Sequence, residues 1–497
     1  MNATRPIDVK KSAARGMAIM VGSSLLMKVM SFIQLTVLAF VLSPSEYAPV
    51  AMTYTVVSFA MLLMRTGLEE ILVQRFTKFH LWASHAFWMS LTVGIMGMVV
   101  IWACAPVGRW FFNDSDVFYL ILLCSLNAPL TTLGTVPNAY LNIKLQFGVL
   151  SMLALLQSLV TTAATCILAF QDFKSTSPVL GAVLGQFVLT ISLWAAARVK
   201  VSVLPSIKYW KYFLVDSVYI QSTRLMYTIS ANVDMLVVGK LSPQEFGVYS
   251  YAFNQSLQAT RLIASNAASV LLPSLRKIGD DNGERMRLFE RGIVTLVPIL
   301  IPLSIMQATL GDPIYRLLFR SQWWDGIPYF QVLSLSMAGG GIYMLYSSLF
   351  AACRRNDLLF WNGLQSTVAY IVFIPIGWLI GGVMGVAFSV GLAIISSVIG
   401  SHLMSKRIGW TSPSVVLFLG KAVMIAIICN VPCYFIDQWL FPSSANGGWK
   451  LQSLRLNIMA AFFLPCFLGA LAIIAPDSWN AVRHRMPFLR RPRFAGT

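Results

Sequence analysis

Leu42-Ser-Pro-Ser-Glu-Tyr47 returns as Leu241-Ser-Pro-Gln-Glu-Phe246, an offset of 199 residues. Laid without a gap, Leu42–Lys78 falls on Leu241–Lys277: Ser43, Pro44 and Glu46 meet Ser242, Pro243 and Glu245, Tyr47 meets Phe246, Leu72 meets Leu271, and Lys78 meets Lys277. A Ser-Pro-x-Glu helix start can recur by chance, since Pro in a first turn and an acid near an N-terminus suit many helices. Here the two copies also hold the same place in the order of apolar blocks. We therefore read the chain as an internal repeat.

Those blocks dominate the 497 residues, of which 57% are hydrophobic and only 11% charged, with a mean hydropathy of +0.71. No soluble domain of this length needs so much apolar surface, so the solvent of the fold is lipid. A spanning helix takes about 20 mainly apolar residues. On that basis the sequence predicts an all-α polytopic membrane protein with helices near 17–41, 47–67, 84–107, 117–140, 147–170 and 178–197. A second set follows near 212–238, 246–272, 292–311, 327–352, 358–380 and 383–404, and then 413–436 and 453–475. The first block follows Lys10, Lys11 and Arg15, carries Lys28 in its middle and lacks a small-residue cleavage site, so it is read as a retained helix and not a signal peptide.

Six spans separate the two Ser-Pro-x-Glu copies. An even number leaves both repeats in one orientation, related by an axis along the membrane normal. The expected organisation is an N-terminal six-helix lobe over 1–200, a second over 201–408, an extra helix pair over 409–476 and a basic tail over 477–497.

The formal net charge of +18 would suggest nucleic acid in a soluble protein. In this chain the cations fall in alternate joints: Arg75, Lys78, Lys144, Arg198, Lys200, Lys208, Lys211, Arg276, Lys277, Arg285, Arg287, Arg291, Arg354, Arg355, Lys406 and Arg407, with both tails, lie on one side. By this assignment roughly 25 cations are inside against about seven outside. Both termini are therefore expected in the cytoplasm, with the protein in the inner membrane and no nucleic-acid partner. The seven cysteines lie almost all in apolar blocks, and the four histidines are scattered without a carboxylate companion, so neither a metal nor another cofactor is expected.

Three stretches carry a family resemblance: Leu42-Ser-Pro-Ser-Glu-Tyr47 with Val50-Ala-Met52, Gly67-Leu-Glu-Glu-Ile-Leu-Val-Gln-Arg75, and Asp234-Met-Leu-Val-Val-Gly239 through Gly247-Val-Tyr249. On these the chain resembles the polysaccharide-flippase (Wzx) branch of the multidrug, oligosaccharidyl-lipid and polysaccharide exporter superfamily, near exporters of acidic exopolysaccharides such as colanic acid or xanthan. Ala48-Pro49 departs from the pattern, in which a Gly commonly follows the aromatic. The resemblance implies a V-shaped pair of six-helix lobes, alternating access, and an undecaprenyl-diphosphate-linked oligosaccharide repeat unit as cargo for exopolysaccharide or O-antigen synthesis. The expected partners are that lipid-linked substrate, membrane lipid, and the polysaccharide polymerase and chain-length machinery.

A charge near a helix centre costs on the order of 2.5–3.5 kcal/mol on insertion scales, so it faces a cavity or a partner. Lys28 and Arg224 fall near the middles of the first and seventh helices, and the repeat register sets them one helical turn apart on a shared face. Arg65 on the second helix and Arg261 on the eighth form a similar pair nearer the cytoplasm. Gathered together, the four would complement a diphosphate, Arg offering a planar fork of donors and Lys a point charge. For Arg65 the alternative is snorkelling to the inner headgroups.

Helix eight adds Asn254, Gln258, Arg261, Ser265 and Ser269 as one polar stripe; helix seven adds Ser217, Gln221, Arg224 and Thr228. Polar helix packing absorbs a few such residues; two adjacent stripes point to a wet cavity wall. Asp234, an acid in an apolar run, is the candidate coupling residue, with a structural cap or an ion pair to Lys240 as the alternative. No catalytic residue is expected. A cation-coupled drug exporter on the same scaffold would want acids and aromatics in the cavity, not four cations. An integral-membrane polymerase or ligase would want a long extracytoplasmic segment, and none is present in the sequence.

Overall fold

The computed structural model describes residues 6–64, 68–74, 79–201, 224–278, 281–409, 414–441, 448–476 and 478–480. Its regular structure is helical throughout, with no strand among the described residues. The elements in chain order are α1 (Pro6–Val41), α2 (Pro44–Met64), α3 (Leu68–Gln74), α4 (Phe79–Phe112), α5 (Ser115–Cys124), α6 (Asn127–Leu133), α7 (Thr135–Ile143), α8 (Phe147–Phe170) and α9 (Thr176–Ala197). After residues 224–230, which are helical, come α10 (Val233–Leu241), α11 (Pro243–Lys277), α12 (Asn282–Thr309), α13 (Gly311–Leu318), α14 (Ile327–Ala352), α15 (Asn356–Ser405), α16 (Ser414–Leu440) and α17 (Trp449–Ile474).

Among the described residues ten helices are long and apolar enough to cross a bilayer. One of them, α15, is a hairpin: Gly381 (φ −147°, ψ 24°) and Gly382 (φ 57°, ψ −141°) leave helical geometry in its middle. Only glycine adopts the second of these conformations readily. The expected seventh span lies mostly outside the described residues. Along α15, Phe388, Leu392, Ile395, Ile399 and Leu403 recur at helical spacing and are each 55–56% exposed. Such a stripe, on a helix apolar enough to cross a bilayer, suits a lipid-facing surface.

The span expected as one helix over 117–140 is three short helices, α5 to α7. Pro129 and Pro137 explain the breaks, because a proline lacks the N–H and clashes with the preceding turn, so each sits in the first turn of a new helix. The joint expected between Gly311 and Gly326 is also ordered, as α13 and a 3₁₀ turn over Ser321–Gly326.

Two compact units divide at 250/251, Met1–Ser250 and Tyr251–Thr497. This partition differs from the lobes drawn from the repeat, which follow helix order. In the first unit α8 packs along α9 and α1 along α8, and Leu72, Phe79, Ala83, Val136 and Ala139 bury the seam of α3, α4 and α7. In the second, Phe289, Ile293 and Val297 of α12 meet Leu345, Leu349 and Phe350 of α14, with Leu358 and Ala422 closing the core. The C-terminal pair α16 and α17 is buried against α12 through Ile425, Cys429, Phe463, Phe467 and their neighbour Leu303.

Candidate functional site

The repeat motif forms what its sequence suggests, a helix start, in both copies. Ser43 precedes α2 with Pro44 as its first residue; the Ser43 N–H and hydroxyl each donate to Glu46 Oε2 at 3.0 Å, and the Glu46 N–H returns a bond to Ser43 Oγ. This is a capping box. Lys174 lies 3.1 Å from Glu46 Oε1. Partial burial raises the Glu46 carboxyl, but the Ser43 donors and the Lys174 ammonium outweigh it and hold the group below its ordinary range. In the second copy Ser242 Oγ donates to Glu245 at 3.3 Å.

The first residues of α11 pack on α2. A Cβ added at Gly247 would lie 2.0 Å from the Pro44 carbonyl oxygen, so no side chain fits there. Its repeat counterpart is Ala48, which is buried.

Asp234 sits in the first turn of α10, 1% exposed, and accepts the Tyr249 hydroxyl at 2.9 Å. The ion pair to Lys240 considered from the sequence is not the arrangement found. Lys240 instead donates to the Phe111 carbonyl at 2.6 Å and lies over the rings of Trp110 and Phe111.

Of the four cations, Lys28 is half-buried on α1, 13 residues before Val41, or about 20 Å at 1.5 Å per residue. Counted from the other end, it lies about 9 Å inside the apolar stretch Gly22–Val41. Arg224 is half-buried in the helical stretch over 224–230. Arg261 lies in the middle of α11. Arg65 and Gln221 lie outside the described residues. α11 runs unbroken for 35 residues, so Asn254, Gln258 and Arg261 share one face as expected, the first two half-buried.

Three polar clusters were not foreseen. On the neighbouring face of α11, Gln255 Nε2 donates to Tyr251 Oη at 2.9 Å, and Gln307 Nε2 of α12 donates to the Ser256 carbonyl at 3.1 Å. In the second unit Arg455 of α17, 8% exposed, is bidentate on Asp437 of α16 and reaches Asp312 of α13 at 2.5 Å; Asp312 also binds Arg316 at 2.7 Å. The available signal was an acid near the end of one span and an Arg near the start of the next. In the first unit, Asn138 and Asn142, one turn apart on α7, donate to the two oxygens of Glu69 at 3.1 and 2.9 Å.

Residues 37–328 match the family described as Polysaccharide biosynthesis protein. The chain belongs to this family. Among its curated relatives, teichuronic acid biosynthesis protein TuaB of Bacillus subtilis is 22% identical, over 71% of this chain and 78% of its own. Lipopolysaccharide biosynthesis protein WzxC of Escherichia coli is 23% identical, over 76% of this chain and 78% of its own. Among solved structures, the inward closed conformation of the lipid II flippase MurJ superimposes with a TM-score of 0.76 at 17% identity, covering 93% of this chain and 99% of that one. An inward-facing MATE multidrug transporter of the MOP superfamily reaches 0.63 at 14% identity, over 77% of this chain and 94% of its own. At such identities these two establish the fold. The polysaccharide biosynthesis protein family thus bears out the resemblance carried by the Ser-Pro-x-Glu, Gly67–Arg75 and Asp234–Tyr249 stretches.

Proposed function

We propose that the protein is a flippase of the inner membrane. It carries an undecaprenyl-diphosphate-linked oligosaccharide repeat unit from the cytoplasmic to the outer leaflet by alternating access, for exopolysaccharide or O-antigen assembly. Membership of the polysaccharide biosynthesis protein family and the names of TuaB and WzxC support this cargo class. The observation that carries the reading is the sign of the charge at membrane depth. Lys28 within the apolar stretch Gly22–Val41, Arg224 in the helical stretch over 224–230 and Arg261 in the middle of its helix suit a diphosphate.

In this mechanism Lys28, Arg65, Arg224 and Arg261 capture the diphosphate from the cytoplasmic side. Gln221, Asn254 and Gln258 line the path of the glycan, the polyprenyl chain stays in lipid, and no covalent bond is made or broken. Asp234 is the coupling residue. Both termini are cytoplasmic, and a polysaccharide polymerase takes the product on the far side. The alternative, a cation-coupled drug exporter, draws on the MATE likeness in fold, but the cationic positions oppose it.

The test is a strain deleted for this gene, which should accumulate lipid-linked repeat units on the inner leaflet. Lys28→Ala, Arg224→Ala and Arg261→Ala should each fail to restore export while the protein inserts normally, with Lys in place of Arg rescuing only in part. Normal export by all three alanine variants would remove the cationic site.

A further inference from the structure

The first unit holds a cavity of about 420 Å³ between the α1, α7, α8 and α9 helices, within the roughly 300–1,000 Å³ usual for small-molecule sites. Its polar wall is Ser23 and Ser24 of α1, Asn138 of α7 and Ser151 of α8. Leu189 and Leu193 of α9 supply apolar surface opposite. In the orientation set by the basic joints, these positions all belong to the cytoplasmic halves of their helices.

The chemistry of the wall selects among ligands. It carries hydroxyl and amide groups but no charge, which does not suit a free anion or a metal ion. Four polar side chains would be wasted on a polyprenyl chain, which satisfies none of them. A pyranose has a rim of hydroxyls and apolar C–H faces, and this wall offers both complements. Asn138 gives its NH₂ to Glu69, which fixes the amide and leaves its carbonyl oxygen as an acceptor for a sugar hydroxyl.

Position agrees with chemistry. Ser24 and Lys28 are four residues apart on α1 and share a face, separated by about 6 Å along the axis. That is close enough for the sugar bonded to a phosphate held at Lys28. We propose that this cavity is a carbohydrate subsite of the first unit, which receives the sugar next to the diphosphate and makes transport depend on the glycan. The proposal rests on the flippase reading.

Proteoliposomes holding the full chain are given two cargoes: lipid-linked repeat units extracted from the deletion strain, and undecaprenyl diphosphate without sugar. Two variants are compared with the parent, normalised to inserted protein. Asn138→Ala removes the acceptor, and Ala154→Leu fills the cavity without touching Glu69. Both should lower the rate for the glycan-bearing lipid about tenfold, the worth of one or two hydrogen bonds, while sugar-free lipid moves within about twofold of the parent. Equal losses for both cargoes, or no loss for either in Ala154→Leu, would overturn the subsite. If the parent moves neither lipid, the flippase reading falls, and the subsite with it.

Discussion

Arg455 offers the sharpest test of what seats the C-terminal helix pair. Its guanidinium is 8% exposed and is shared by two carboxylates, Asp437 at 7% and Asp312 at 23% side-chain exposure. Replacing it by Met keeps most of the side-chain volume and removes the charge. Asp312 is then still paired with Arg316 at 2.7 Å, whereas Asp437 has lost both of its bonds to Arg455. Leaving one buried charge without its partner costs about 3–5 kcal/mol. That is a large part of the ~5–15 kcal/mol that holds a typical domain folded, and about 10 °C in melting temperature for a unit of this size. Adding Asp437→Leu removes the orphan, and the double variant should recover most of the loss, since a well-packed apolar pair often matches a buried ion pair. The assay is thermal unfolding of purified protein in detergent. If Arg455→Met melts with the parent, or if the double variant melts no higher than the single, the network does not clamp α16 and α17 to α13.

Three further outcomes follow from contacts in the first unit. Gly247→Ala should lower stability by about 1–3 kcal/mol through overpacking against a backbone that cannot rotate away, measured as above, whereas Ala48→Gly at the repeat counterpart meets no such clash and should cost about 0.5–1 kcal/mol in helix propensity. Because the Glu46 carboxyl is held below its unfolded value, its contribution is full above the unfolded pKa and is lost as pH falls through the folded one; Glu46→Gln should therefore flatten that acid limb of the melting temperature against pH profile. Asp234→Asn preserves shape and keeps an acceptor for Tyr249 while removing the titratable charge. Transport in proteoliposomes should lose its response to an imposed pH or sodium gradient at near-normal folded yield, and a parental response would exclude Asp234 from coupling.

The helices were legible because apolar runs of bilayer length leave few alternatives, and the Ser-Pro-x-Glu copies fell on helix starts because both encode their own caps. The breaks at Pro129 and Pro137 were less visible, since the apolar average of a 19-residue window passes over a single proline. The stripe at Asn254, Gln258 and Arg261 could be read from spacing alone, as all three ride one continuous helix. Arg455, Asp437 and Asp312 could not. They come from three helices, and only tertiary packing brings the arginine between two acids. Lys240 illustrates the same limit: proximity in sequence offered it Asp234, but the fold gave it the end of α4.

The α15 hairpin has a consequence for how the chain enters the membrane. Between Asp357 and Lys406 there is no Asp, Glu, Lys or Arg, and the two arms approach so closely that a Cβ at Gly385 would lie 1.9 Å from the Gly377 carbonyl oxygen. Asn362 and Ser401, Gln365 and Ser396, and Ser366 and Ser397 bond across the arms. Each arm therefore satisfies polar groups that the other would otherwise bring bare into lipid, and the two are best inserted together. Arg354 and Arg355 at one foot and Lys406 and Arg407 at the other hold both ends on the same side. The glycine tip carries no charge to oppose crossing, so the direction of insertion falls to the basic residues at the feet.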